Sequence, residues 1–196
     1  MSARSVPVMP QRLDEFVAAV TAALASHAEE EARLLDALSH AMRQLVAADD
    51  WLPAELAQPH PQHYQQYLLH CDPQQRFSVV SFVWGPDQQT PIHDHTVWGV
   101  IGILRGAEIA QHYRRTPQGM QTEGEPERLN PGDVAAVSPR IGDIHRVRNA
   151  FDDRVSVSIH VYGTDIGRQS RHVFDPQSGA VKDFVSGYAN TCKAAA

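Results

Sequence analysis

Apolar residues follow two different rhythms along this chain. Leu13, Phe16, Val17, Val20 and Leu24 recur at steps of three and four, and so do Leu34, Leu35, Leu38, Met42 and Leu45. Each set makes one apolar stripe with charges opposite, which predicts two amphipathic helices laid on a core. Asp49-Asp50 ahead of Trp51-Leu52-Pro53 breaks the pattern, and Ala54–Leu56 opens a further short helix. From about residue 77 the texture changes. Short apolar-rich runs cover Phe77–Trp84, Val97–Arg105, Ala107–Arg115, Asp133–Val137 and Val155–Tyr162. They stop at turn formers such as Gly85-Pro86, Gly106 and Gly163, which predicts an antiparallel sandwich or barrel. No linker-like stretch divides the two parts. The expectation is one domain over 1–196: a mainly helical segment to residue 60, a barrel over 61–180, and a C-terminal extension over 181–196. The first ten residues and Lys193–Ala196 are expected to be mobile.

Charge and cysteine usage narrow the function classes. A net charge of −6 argues against nucleic acid or an anionic membrane surface as the main partner. No apolar run approaches the roughly 20 residues of a membrane span. Arg12, Asp14 and Glu15 interrupt any signal-like run near the N-terminus. Cys71 and Cys192 make no disulfide framework, so a reducing, cytoplasmic setting is expected. The sequence sets no oligomeric state.

The candidate chemistry lies in the histidines. In "TPIHDHTVWG", His93 and His95 are two apart, so on a strand both point to one side and Asp94 to the other. A third, His145, comes in "PRIGDIHRVRN". Gly-x-x-His-x-x-x-Asn after a proline, downstream of His-x-His, resembles the second motif of the cupin barrels. Cupins usually carry a glutamate a few residues after His-x-His, but here Trp98, Gly99 and Val100 stand there. The first carboxylate beyond is Glu108, on another strand. The simplest ligand set is therefore three neutral imidazoles, His93, His95 and His145, which suits zinc, copper, nickel or iron. "RVSVSIHVYG" alternates fully, with Val155, Val157, Ile159 and Val161 on one face and Ser156, Ser158, His160 and Tyr162 on the other. The polar face is either the solvent side of an edge strand or the lining of the barrel, where its members must satisfy one another.

"IHDHT", "IGDIHRVRN" and "VSIHVY", in that order, resemble the cysteine dioxygenase family of thiol dioxygenases, over about residues 64–171. The resemblance implies a mostly β cupin fold, a double-stranded β-helix or jelly-roll barrel, with an N-terminal helical segment. It implies ferrous iron on the three histidines, and a small thiol and O2 as reactants giving a sulfinate. Ser158, His160 and Tyr162 then form a hydrogen-bonded chain beside the iron, with Tyr162 facing substrate or oxygen. Animal members carry a cysteine that cross-links to this tyrosine, and its place falls on Gly99. Their carboxylate-binding arginine is replaced here by Gln66, as in bacterial 3-mercaptopropionate dioxygenases, which use an arginine after the tyrosine-bearing strand. Arg168 and Arg171 are the candidates, and spacing favours Arg171. Trp98 is a candidate pocket wall, or a plain core tryptophan. The implied substrate is 3-mercaptopropionate, L-cysteine or both. The alternatives are cysteine dioxygenase proper and another metal-dependent cupin enzyme.

Overall fold

The computed structural model describes residues 10–190. The segments expected to be mobile lie almost wholly outside that range, as does Cys192. Helices α1 (Gln11–His27) and α2 (Glu31–Leu45) form where the stripes predict them, followed by a single 3-10 turn at Ala54–Leu56. On α2 the buried positions are the predicted Leu34, Leu35, Leu38, Met42 and Leu45. On α1 Leu13, Phe16 and Val20 are buried as predicted, Val17 and Leu24 are half-buried, and Ala23 is buried beside them.

Two antiparallel sheets follow. One has the order β1 (Gln65–Cys71), β2 (Ser78–Trp84), β9 (Ser156–Tyr162), β4 (Gly99–Arg105), β7 (Val134–Val137). The other runs β11 (Val181–Phe184), β10 (Arg171–Phe174), β3 (Ile92–His93), β8 (His145–Asn149), β5 (Glu108–Thr116), β6 (Gly119–Leu129). This is the expected two-sheet cupin barrel with a helical N-terminal segment. The five runs predicted as strands all form, with ends within two residues of the expectation.

The helices cover the outer face of the five-stranded sheet. Val157, Ile159 and Val161 of β9 pack outward into one core cluster with Val20, Leu38 and Met42. All six are fully buried, each contributing about 1.5–3 kcal/mol relative to exposure. The opposite face of β9, Ser156 to Tyr162, points into the barrel and is buried too. The solvent-face reading of that strand is therefore overturned. A strand in the middle of its sheet, helices on one side and a second sheet on the other, has no solvent face.

Three differences from the sequence reading have clear causes. β6 is long, almost wholly exposed and polar, so no apolar rhythm marks it. Its Pro126 and glutamates suit an unpaired edge. β1 pairs with β2 although glutamines open it. Residues 181–184, assigned above to the extension, form β11 on the edge beside β10. The chain then crosses to β1, where the Ala189 amide donates to the Gln66 carbonyl and the Asn190 side chain pairs with Leu68. That segment covers the backbone groups of an edge strand.

Candidate active site and metal centre

His93 and His145 face each other as a cross-strand pair of β3 and β8. Their side chains therefore share the inner face. His95 lies beyond the end of β3, so strand alternation does not carry it to the same point. Asp143 does. One of its oxygens accepts from the His95 and Thr96 amides at 3.0 and 2.8 Å, and the other meets His95 Nδ1 at 2.9 Å. Thr96 sits at φ +62, a left-handed conformation rare for a β-branched residue. These bonds hold the turn that swings His95 inward. Asp94 points away, as expected, to the His172 amide and ring.

The candidate ligand nitrogens of the three histidines lie within 4.8 Å of one another, and all three residues are buried. His93 Nδ1 is bound to the Pro91 carbonyl at 3.1 Å and His95 Nδ1 to Asp143, so Nε2 is the free nitrogen of each. Burial, then the neighbouring His95, pushes His93 down to about 3. Burial and His93 push His145 down in the same sense. Both rings are thus neutral and offer lone pairs, as a metal requires. Three convergent imidazoles with a carboxylate behind one of them fit a divalent transition metal.

Asp143 is the site residue the sequence reading passed over, although it stands two places before His145. Burial alone would raise its carboxyl, but the bonds from His95 and Thr96 outweigh this and lower it. Asp143→Ala is expected to weaken metal binding by about 10- to 100-fold, the usual cost of losing an outer-shell carboxylate. Competition with a metal-binding dye would read this directly.

Beside the histidines runs the expected chain. The Tyr162 hydroxyl is 2.8 Å from His160 Nδ1, and His160 Nε2 is 2.7 Å from Ser158 Oγ. The Tyr162 ring stacks on His95 at 5.2 Å between centroids. Gly99 makes room for that ring: a Cβ there would sit 2.7 Å from two of its carbons. So in this chain the glycine's function is clearance.

The cavity at this end is lined by the three histidines, Tyr64, Gln66, Tyr162 and Arg171, among others. About 20 Å3 is open to the centre of a water molecule, room for one or two waters by that measure. Only a small ligand fits. Arg171 is buried on β10, above the Phe184 ring at 4.6 Å, and donates from Nη2 to Ser186 Oγ at 2.7 Å. Among the described residues its Nε has no hydrogen-bond partner. Burial lowers the Arg171 pKa, with the Tyr162 and Tyr64 hydroxyls opposing. Arg168 is exposed beside Asp165 and does not reach the cavity. Gln66 lines it, with its amide donating to the Gly187 carbonyl at 3.3 Å. Trp98 is not among the lining residues. Its indole lies over Gly163 and packs toward the helix-side core, which favours the plain-core reading: at the mouth of β4 its side chain takes the outer face, opposite Gly99.

The fold and the three inward histidines define a cupin with a site suited to a metal ion. Residues 9–173 match the family model of cysteine dioxygenase type I, and the chain belongs to that family. Among solved structures it is similar to a Thermus thermophilus protein at 20% identity, covering 57% of this chain and 92% of that one, with a TM-score of 0.44. A double-stranded β-helix protein from Klebsiella pneumoniae matches at 16% identity over 66% of this chain and 91% of its own, TM-score 0.45. A cupin superfamily protein from Desulfitobacterium hafniense matches at 16% over 58% and 90%, TM-score 0.45.

Proposed function

We propose that the protein is an iron-dependent thiol dioxygenase that oxidises a small thiol carboxylic acid to its sulfinic acid with O2. Family membership supports the reaction class. The observation that carries the substrate class is Arg171, a buried cation with an unpartnered Nε, in the same cavity as the three histidines. Among the described residues its side-chain hydrogen-bond partner is the neutral Ser186 hydroxyl, not a carboxylate. A buried guanidinium without an anion is costly, and a substrate carboxylate removes that cost through charge-assisted bonds.

Each side chain then has a task. His93, His95 and His145 hold the metal. Ferrous iron, when bound there, supplies the redox chemistry that lets O2 react with a thiolate. Arg171 anchors the carboxylate and so fixes the far end of the substrate. Tyr162, held by His160, presents a phenol whose proton is kept on by burial, ready to hydrogen-bond sulfur or oxygen. Tyr64, Phe82 and Trp84 stack into a wall that keeps water out.

With the carboxylate held by Arg171 and Gln66 neutral, no anionic side chain among the described residues lines the cavity to receive a substrate ammonium group. This favours 3-mercaptopropionate over L-cysteine. The experiment is a comparison of kcat/KM for 3-mercaptopropionate, L-cysteine and cysteamine, with O2 uptake and sulfinate both measured. The expected order is as written, with cysteamine poorest because it lacks the carboxylate. Cysteamine as the best substrate would refute the carboxylate anchor. Absence of O2 uptake with all three by iron-loaded protein would refute the activity.

A further inference from the structure

The two sheets leave two seams, because each sheet ends in two edge strands. One seam lies between edges β1 and β11 and holds the site just described, with Gln66 and Phe184 on its rim. The other lies between edges β6 and β7. A second cavity of about 230 Å3 opens there, with exposed Glu127 at its mouth and Val134–Val137 along one wall. His145, Val147 and His160 touch both cavities. The barrel interior is thus reached from both ends, with the histidines between.

Glu108 lines the second cavity. It faces inward because it shares its face with Asn149 of β8 and Leu129 of β6, its cross-strand partners. It is 1% exposed, and among the described residues its Oε1 has no hydrogen-bond partner. A buried carboxyl kept in such a place needs a reason.

Ser158 supplies it. Its hydroxyl oxygen can accept two hydrogen bonds and donate one. The Trp84 indole N–H donates to it at 3.3 Å, and His160 Nε2 stands 2.7 Å away. When Nε2 carries its proton, both lone pairs of Ser158 are taken. Its O–H is then free to turn toward the Glu108 carboxylate, where a donated bond favours the anion. In the other tautomer every bond of the chain runs the opposite way. Glu108 donates to Ser158, Ser158 to His160 Nε2, and His160 Nδ1 to the Tyr162 oxygen.

We propose that Glu108 is the far terminus of the Ser158–His160–Tyr162 chain and takes up the substrate's thiol proton through it, then releases that proton by the β6/β7 cavity. The inference rests on the thiol dioxygenase reading. The step balances. The S–H bond breaks as the thiol becomes a thiolate, and its proton joins the Tyr162 oxygen. The phenolic proton moves to His160 Nδ1, the Nε2 proton to Ser158, and the Ser158 proton to Glu108. No net charge stays on His160, whose burial disfavours the imidazolium. Glu108 touches no reactant, so it is a positioning residue that acts through its neighbours.

Its affinity for a proton suits the task. Burial raises the carboxyl to about 7, with the Ser158 hydroxyl opposing. The titratable groups around it are His160 and Tyr162 from β9, His145 from β8, His112 on β5 itself, and Glu127 from β6. None is a lysine or arginine that would pin it as an anion.

The test uses the metal-loaded enzyme and two variants, E108Q and S158A. In the wild type, the infrared C=O stretch of a protonated carboxyl is expected to disappear as pH rises through about 7, and kcat is expected to fall below that pH. E108Q should lack the band, lose that acid limb and turn over roughly 100-fold more slowly at pH 8, the scale of a lost proton-transfer group. S158A should lose the same limb while its carboxyl band titrates at higher pH, because the donor to the anion is gone. A merely structural Glu108 would lower the rate equally at every pH and keep the limb, and that result would overturn the proposal. So would a carboxyl band that is unchanged in E108Q. Wild-type enzyme that titrates as expected but oxidises no thiol acid would instead remove the dioxygenase reading and, with it, the thiol as proton source.

Discussion

His93→Ala is expected to abolish thiol oxidation and to leave the purified protein with little or no iron. His93 gives one of three imidazoles and is the one paired directly with His145 across β3 and β8. Its Nδ1 is fixed by the Pro91 carbonyl, so its Nε2 direction is set before any metal arrives. Removing an outer partner such as Asp143 costs about 10–100-fold in affinity, so removing a ligand should cost more than roughly 100-fold. The fold should survive, because the residue lies in a two-residue strand whose neighbours β8 and β10 pair elsewhere. Metal analysis, O2 uptake and circular dichroism together check this. A variant that retained stoichiometric iron and full activity would show that the metal sits elsewhere.

Arg171→Met separates recognition from chemistry. Losing a charge-assisted bond costs about 1.5–3 kcal/mol, so kcat/KM for 3-mercaptopropionate is expected to fall by roughly 10- to 150-fold. Cysteamine, which has no carboxylate, should change by less than about threefold if it gains nothing from the guanidinium. Thermal stability should hold or rise, because a buried cation with an unpartnered Nε is exchanged for an apolar side chain of similar length. An equal loss for both substrates would mean that Arg171 supports the pocket's shape and binds no carboxylate.

Much of the site was legible in the sequence because short-range patterns encode it. The alternation of Val155–Tyr162 places Ser158, His160 and Tyr162 on one face whatever the fold, and their 2.7 and 2.8 Å contacts follow from that spacing. Asn149 was visible as part of a motif, and its side chain ties together the carbonyls of Trp84, Gly85 and Arg154. Less legible were residues whose meaning depends on a distant partner. Asp143 looks like any loop aspartate until the His95 turn is packed against it. Trp98, beside the histidine motif, read equally as a pocket wall or a core tryptophan, and only packing showed that its side chain leaves on the other face.

The sequence by itself determined the two helices, the inner strands, the three histidines and the Ser-His-Tyr face, since these rest on local periodicity and on residue types with few other uses. Only the tertiary structure decided which polar groups are sealed from water. Arg171 and Arg168 are three residues apart and chemically identical, but one is buried over Phe184 and the other is exposed. Glu108 reads as one more acid on a strand until β6, β8 and β9 close around it. Burial is a property of packing between segments far apart in the chain. It is burial that turns an ordinary arginine into a candidate anion site and an ordinary glutamate into a group that holds a proton near neutral pH.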